Sequence, residues 1–188
     1  MTKEEILETL AQAAPFEFSY DRETSRYNTE EDEKMICYIL GGAMKAGVKQ
    51  EYDFIVDGQP IDLKIGNSIN MSCMLHPDVD VLLISKDGTQ ANYIEKSEID
   101  IRDFKPSKYS TDRVSFKFDK NGPKCWPILE TGDGLVEIKT EEEFEALAID
   151  MDFDGLVLTE KPRMFDGRPI FYSDDFYSVT LEDLEDYR

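Results

Sequence analysis

Two aspartates and a lysine lie in one short segment with types and spacing that could support metal-dependent chemistry. The segment reads E-Y-D-F-I-V-D-G-Q-P-I-D-L-K-I, and Asp57-Gly58 at its centre suits a two-residue hairpin turn. Counting outward from that turn places Asp53 opposite Asp62, with Lys64 on the same face. Residues opposed in this way have Cβ atoms roughly 5 Å apart, and their carboxylates repel each other, so a bound cation would explain the pair. Hard ions such as Mg²⁺ prefer carboxylate oxygens, and an adjacent lysine can hold a water molecule or a phosphate oxygen.

The other face of the predicted hairpin is apolar and can enter a core. Its residues would be Tyr52, Phe54, Ile61 and Leu63. Two alternatives stay open. The charged face could belong to an ordinary surface hairpin, and a three-residue loop would set Asp53 opposite Leu63 instead.

The pattern Asp-x8-Asp-x-Lys resembles the signature of the PD-(D/E)xK nuclease superfamily, the restriction-endonuclease-like nucleases, over about residues 28–100. The resemblance implies an α+β fold with a mixed sheet flanked by helices. It also implies Mg²⁺ (or Mn²⁺) and hydrolysis of phosphodiester bonds in DNA or RNA. Asp53 and Asp62 would then ligate the metal together with the carbonyl of Leu63, and Lys64 would orient the attacking water.

An acid from the preceding helix often joins the metal site in this superfamily. Glu33 is the first candidate here and Glu30 the second. The alternative is that an acid in the first turn simply stabilises the helix dipole.

Apolar periodicity predicts two helices before the hairpin and two strands after it. The first helix begins with a capping box at Thr2 and ends near Ala14, and the second runs from about Thr29 to Ala46. Strands are expected at 79–85 and 89–95. The superfamily core usually has a strand between its first helix and the first acid, and here only 48–50 could supply it.

The net charge of −20 over 188 residues argues against a nuclease, because a polyanion repels nucleic acid. However, residues 102–124 carry seven basic and three acidic side chains, a net charge of +4. Their basic residues alternate with aromatic ones and could meet phosphates while the rings stack on bases. We therefore predict nucleic-acid contacts from Arg102, Lys105, Lys108, Arg113, Lys117, Lys120 and Lys124. The alternative is a solvated strand whose lysines protect a sheet edge.

The last part of the chain is strongly acidic. Residues 125–188 carry five basic and 18 acidic side chains. Their pattern predicts a β-α-β-β-α arrangement, with one helix that begins after Thr140 and a terminal helix at 180–187. We expect a nuclease-like core over 1–124 and an acidic subdomain over 125–188. A second acid-x-Lys triplet, at 137–139, has no room for a hairpin before it and is not predicted to be a site.

A competing hypothesis is a non-enzymatic acidic interaction protein, for example one encoded by a phage, that binds a basic partner or mimics DNA. A third joins the two, with an acidic part that docks a basic protein onto a nuclease. Cys37, Cys73 and Cys125 are widely spaced, which favours reduced thiols and no zinc site. We expect a cytoplasmic protein without a membrane partner, and a homodimer stays open.

Overall fold

The computed structural model describes residues 1–21, 26–27, 29–45, 52–69, 78–110, 113–131, 134–150, 156–157, 164–165 and 168–173. The described residues fall into two compact units. The first contains residues up to Ile69 and from Asp78 to Ile99, and the second begins at Asp100. The boundary therefore lies at 99/100 rather than at the expected 124/125, and the basic segment belongs to the second unit.

The first unit has an α+β fold built on a five-stranded mixed sheet. Its elements are α1 (Lys3–Ala13), β1 (Tyr20–Asp21), β2 (Arg26–Tyr27), α2 (Thr29–Ile39), β3 (Ala43–Met44), β4 (Phe54–Val56), β5 (Gln59–Ile65), β6 (Asp80–Ile84) and β7 (Ala91–Ile94). The order in the sheet is β3-β4-β5-β6-β7, with β5 and β6 parallel and all other neighbours antiparallel. β1 and β2 pair in a separate two-stranded sheet. The predicted capping box at Thr2 and Glu5 is present.

The second helix is shorter than the sequence predicts. It ends at Ile39, and Gly41 adopts a left-handed conformation with φ of 65°. A Cβ at Gly42 would lie 2.7 Å from the carbonyl oxygen of Ile55, so glycine allows the chain to pass close beside β4. The chain then forms β3, a two-residue strand that begins before 48–50, the residues that the sequence left as the place for it. Residues 46–51 lie outside the described part of the chain.

The hairpin of β4 and β5 has the predicted two-residue turn. Asp57 and Gly58 both have positive φ, 49° and 89°, as a type I′ turn requires. The register is Val56 with Gln59, Ile55 with Pro60 and Phe54 with Ile61. This register is the one predicted, and it excludes the three-residue loop.

The core of the first unit lies between the two helices and one face of the sheet. Phe54 and Ile61 are fully buried at its centre, and each such side chain contributes about 1.5–3 kcal/mol on burial. Other buried members are Ile6 and Leu10 of α1, Ile36 and Leu40 of α2, and Leu63, Leu82, Ile84 and Tyr93 of the sheet. The hairpin's apolar face is therefore a core face, and its charged residues are left for the site.

The second unit is also mixed in secondary structure. Its elements are β8 (Phe104–Ser110), β9 (Arg113–Phe118), β10 (Ile128–Thr131), β11 (Gly134–Glu137), α3 (Glu141–Asp150), β12 (Leu156–Val157), β13 (Met164–Phe165) and β14 (Arg168–Ser173). β8 and β9 form an antiparallel pair, and β14 lies parallel to β10 and antiparallel to β12 and β13. The helix expected after Thr140 is present as α3. The terminal helix expected at 180–187 lies outside the described residues.

Two further sequence expectations can be compared with the described residues. Cys37 and Cys125 are free thiols, while Cys73 is not among the described residues. In the part of the chain that the structure describes, no helix combines the length and apolarity needed to cross a membrane.

Candidate active site

The hairpin holds Asp53 in place through its own backbone. Asp53 lies just before β4, and its main-chain N–H donates to the carbonyl of Ile61 at 2.9 Å. Its carboxylate Oδ2 accepts from the main-chain N–H of Leu63 at 2.7 Å. Asp53 is 8% exposed. A carboxylate bonded to a strand amide has a defined orientation, so Asp53 is fixed relative to β5.

Asp62 and Lys64 lie two residues apart on β5 and share a face. The Nζ atom of Lys64 is 2.7 Å from Oδ1 and 2.7 Å from Oδ2 of Asp62. Burial raises the pKa of the Asp62 carboxyl, Lys64 opposes that rise, and the nearby Asp53 adds to it. Asp53, Asp62 and Lys64 are thus brought together, as the hairpin predicted.

Helix α2 adds a fourth charged group to the site. Burial raises the pKa of Glu33 to about 7, and repulsion from Asp53 and Asp62 contributes to this shift, whereas Lys45 and Lys64 oppose it. Glu33 therefore lies within electrostatic reach of both aspartates. Glu30, by contrast, is exposed on the helix and pairs with Lys34 at 2.6 Å. Of the two candidate helix acids, Glu33 is the one beside the site.

Lys45 is a member of the site that the sequence did not single out. It follows β3 directly, and its main-chain N–H donates to the carbonyl of Asp53 at 3.2 Å. Its Nζ atom lies 3.5 Å from Oδ1 of Asp53. The β3–β4 register would have revealed it, because Met44 pairs with Phe54 and the next residue must lie beside Asp53. The missing signal was the end of α2 at Ile39.

The neighbouring helix residue Asp32 has a different position. It is 2% exposed, and its Oδ1 accepts from the main-chain N–H of Ser19 at 3.0 Å. Its Oδ2 finds no hydrogen-bond partner among the described residues, and burial raises its pKa. Asp32 therefore ties the segment after α1 to α2.

The donor set fits a hard cation held by a pair of carboxylates. Among the described residues, no three acidic, histidine or cysteine side chains are grouped so as to hold a metal ion, so the predicted set including Glu33 is not assembled as a cage. Asp53 and Asp62 nevertheless supply two carboxylates in one buried place. Mg²⁺ usually takes one or two carboxylates and completes its shell with waters and phosphates. The residues present match that mode of binding.

Arg102 in the basic segment has a structural position that corrects its predicted role. It is 8% exposed, and its guanidinium bonds to Asp100 at 2.7 Å and to Glu141 at 2.6 Å. It also lies over the rings of Phe144 and Trp126, at 4.1 and 5.3 Å from their centroids. A buried guanidinium engaged on its edge and its face is not available to a phosphate, so the prediction for Arg102 is wrong.

The other basic residues of this segment differ in their surroundings. Lys124 pairs with Asp103 at 2.7 Å, and Lys105 donates to the carbonyl of Arg102 at 2.8 Å, so both belong to the same network. Lys117 and Lys120 are exposed. Lys108 and Arg113 lie on β8 and β9, and their side chains are outside the described structure. A nucleic-acid interface here stays a prediction.

Comparison of the chain with protein-family models, curated proteins and solved structures found no significant match.

Proposed function

We propose that this protein is a metal-dependent nuclease of the PD-(D/E)xK type that hydrolyses phosphodiester bonds of DNA or RNA. The observation that carries the proposal is the convergence of Asp53, Asp62 and Lys64 on the charged face of one hairpin. Like-charged carboxylates in a buried place are costly unless a cation joins them. An ion pair with Lys64 offsets part of that cost, and a metal would offset the rest.

The order of elements around the hairpin supports the proposal. The superfamily pattern expects a strand between the first helix and the first acid, and β3 lies in that position, between α2 and Asp53. The apolar strand β6 follows the strand that carries Lys64 and pairs with it, and β7 returns beside β6. Glu33 reaches the group from α2, where the pattern expects a helix acid.

The residues of the site have distinct roles in this proposal. Asp53 and Asp62 would hold Mg²⁺, and the bound ion would polarise the phosphate and lower the pKa of a water molecule. The ammonium group of Lys64 lies beside the carboxylate of Asp62. From that position it can donate a hydrogen bond to the attacking water or to a phosphate oxygen. Such a donor stabilises the negative charge that develops on the phosphate oxygens. Glu33, with a pKa of about 7, can accept a proton near neutral pH.

Cleavage and metal-binding assays together test the proposal. Plasmid, linear duplex, single-stranded DNA and RNA would be incubated with the protein in Mg²⁺, Mn²⁺ or EDTA, and Mn²⁺ binding followed by calorimetry. We expect cleavage of at least one form in metal alone, and loss of both cleavage and Mn²⁺ binding in Asp53→Asn. The nuclease proposal fails if the folded protein cuts none of these forms in Mg²⁺ or Mn²⁺, and the metal site fails if Mn²⁺ does not bind at millimolar concentration.

An acidic interaction protein is the second candidate. Lysines already pair with both aspartates, so the hairpin can be stable without a metal, and the net charge is −20. Such a protein would not bind nucleic acid and would compete with it for a basic partner.

The salt dependence of binding separates the two candidates. A nuclease that uses Lys117 and Lys120 would bind nucleic acid more weakly as salt increases, with a slope of about 0.9 per phosphate contacted on duplex DNA. Changing both lysines to Glu should flatten that slope, and fluorescence anisotropy over a salt series measures it.

A further inference from the structure

Lys45 lies at Oδ1 of Asp53, to which none of the described backbone N–H groups donates a hydrogen bond. Oδ2 of Asp53 is hydrogen-bonded to the Leu63 amide at 2.7 Å, while Oδ1 faces the Nζ atom of Lys45 at 3.5 Å. A metal ion that uses Asp53 would most readily take Oδ1, because the other oxygen is already bonded. Lys45 and the metal therefore compete for one position.

The contact between Lys45 and Asp53 is loose compared with the second ion pair of the site. Its 3.5 Å separation is longer than an ordinary hydrogen bond, whereas Lys64 lies 2.7 Å from Asp62. The main chain of Lys45 is fixed to the Asp53 carbonyl, but its side chain is 29% exposed. The ammonium can therefore move away from Oδ1 without any change in the strand pairing.

We propose that Lys45 is the counter-ion of Asp53 in the metal-free protein. Once a metal ion has displaced it from Asp53, Lys45 contacts a phosphate of the substrate. The proposal rests on the proposed nuclease function and adds a second lysine to it. A substrate phosphate beside Asp53 and Asp62 would be close to both ammonium groups, because Lys45 contacts the first carboxylate and Lys64 the second. Lys45 thus limits metal loading without substrate and strengthens binding of the phosphate when metal is present.

This role predicts effects of opposite sign for one substitution. Lys45→Met keeps the length of the side chain and removes its charge. Without the competing ammonium, Mn²⁺ should bind roughly threefold to fivefold more tightly, as expected for one partly exposed ion pair. Nucleic acid should bind about fivefold more weakly, and the salt slope should fall by about 0.9 on duplex DNA, or about 0.7 on a single strand, for the lost phosphate contact. A variant with a damaged fold would instead bind both Mn²⁺ and nucleic acid more weakly.

The experiment compares Lys45→Met with Lys45→Arg and with Lys34→Met, a control on the exposed face of α2 where the lysine pairs with Glu30. Mn²⁺ alone is titrated by calorimetry. Binding of a short fluorescein-labelled DNA, duplex or single-stranded according to the form that the wild type cuts, is measured by anisotropy with Mg²⁺ in a Lys64→Ala background. Lys45→Arg should keep the DNA affinity, and Lys34→Met should change neither affinity.

Each other outcome has a defined meaning. Unchanged Mn²⁺ and DNA affinities in Lys45→Met overturn the inference, and wild-type cleavage would leave the nuclease proposal standing. Tighter Mn²⁺ with unchanged DNA binding makes Lys45 a counter-ion only and also overturns it. If the wild type neither binds Mn²⁺ nor cuts nucleic acid, the nuclease proposal fails and the inference fails with it.

Discussion

Two of the three segments that combine an acid, an apolar residue and a lysine in sequence have contrasting surroundings. One is Asp62-Leu63-Lys64 in β5, and the other is Glu137-Ile138-Lys139 at the end of β11. The central residue is buried in both, so the acid and the lysine project to the other side. Lysine and acid are 2.7 Å apart in the first segment and 3.4 Å apart in the second. Local sequence alone would treat them as equivalent.

Their surroundings separate them. Asp62 is buried beside another carboxylate, and burial raises its pKa. Glu137 is exposed, and its hydrogen bond from Arg168, at 3.0 Å, holds its pKa below the usual value, with Lys139 helping. One acid is crowded by like charge and the other is satisfied by two cations. The charged residue that contacts the acid of each triplet from elsewhere in the chain, Asp53 in one case and Arg168 in the other, determines whether a further cation is needed.

The largest expected effect concerns the two lysines. Lys64→Ala should lower cleavage about 100-fold or more, because a donor to the reacting phosphate or water is lost, while Mn²⁺ binding persists. Lys139→Ala should leave the cleavage rate near that of the wild type. Timed cleavage assays and calorimetry on both variants measure this. An equal loss of cleavage rate in the two variants, or no loss in Lys64→Ala, would show that the two segments do not differ in function.

The next effect concerns the two acids and should have opposite signs in thermal stability. Asp62→Asn should abolish Mn²⁺ binding and raise Tm in EDTA, because it removes a buried charge next to Asp53. Glu137→Gln should lower Tm slightly, because its charged form is the one that Arg168 and Lys139 favour. Calorimetric melts at neutral pH in EDTA measure both values. A lower Tm for Asp62→Asn would show that its bond to Lys64 outweighs the repulsion.

The smallest effect is a pH dependence that the β11 segment should lack. The pKa of Glu33 is raised from 4.5 to about 7 in the folded protein, so its contribution to stability is present at low pH and lost as pH rises through 7. Metal-free protein should therefore melt a few degrees higher at about pH 6 than at about pH 8.

Glu33→Gln should flatten this dependence, because an amide does not titrate in that range. Glu30→Gln, which changes an exposed acid one turn earlier, is the matched control and should keep the wild-type profile. Melting curves in EDTA at several pH values separate the two variants. An unchanged dependence of Tm on pH in Glu33→Gln would show that Glu33 does not belong to the charged residues of the site.

Much of the hairpin could be predicted because its determinants are local. Asp57-Gly58 specifies the type I′ turn, the turn sets the register, and alternation then assigns Phe54 and Ile61 to the core and Asp62 to the other face. Apolar patterning predicted the neighbouring strands β6 and β7 in the same way, whereas the α+β class was implied by the resemblance. These features need no information from distant parts of the chain.

The features that could not be predicted depend on long-range contacts. The apolar spacing of α2 continues in the sequence past the end of the helix, because Met44 fits that spacing although it lies in β3. Only the close approach of Gly42 to Ile55 shows that the helix has already ended. Lys45 lies in the site because the chain after α2 pairs with β4. Similarly, Arg102 reads as a surface cation until Glu141 and Phe144 are brought to it. Charge and periodicity do not identify partners that lie far along the chain.

The hydrogen bond from the Leu63 amide to Asp53 makes an uncharged residue a reporter of the site. An amide proton bonded to a carboxylate changes its NMR frequency when that carboxylate is protonated or shares its charge with a metal. The Leu63 signal in a ¹⁵N-labelled sample should therefore follow the state of Asp53, ten residues away in sequence. Metal loading of Asp53 could be followed in this way at a single backbone position, in the absence of any substrate and without substitution of any residue of the site.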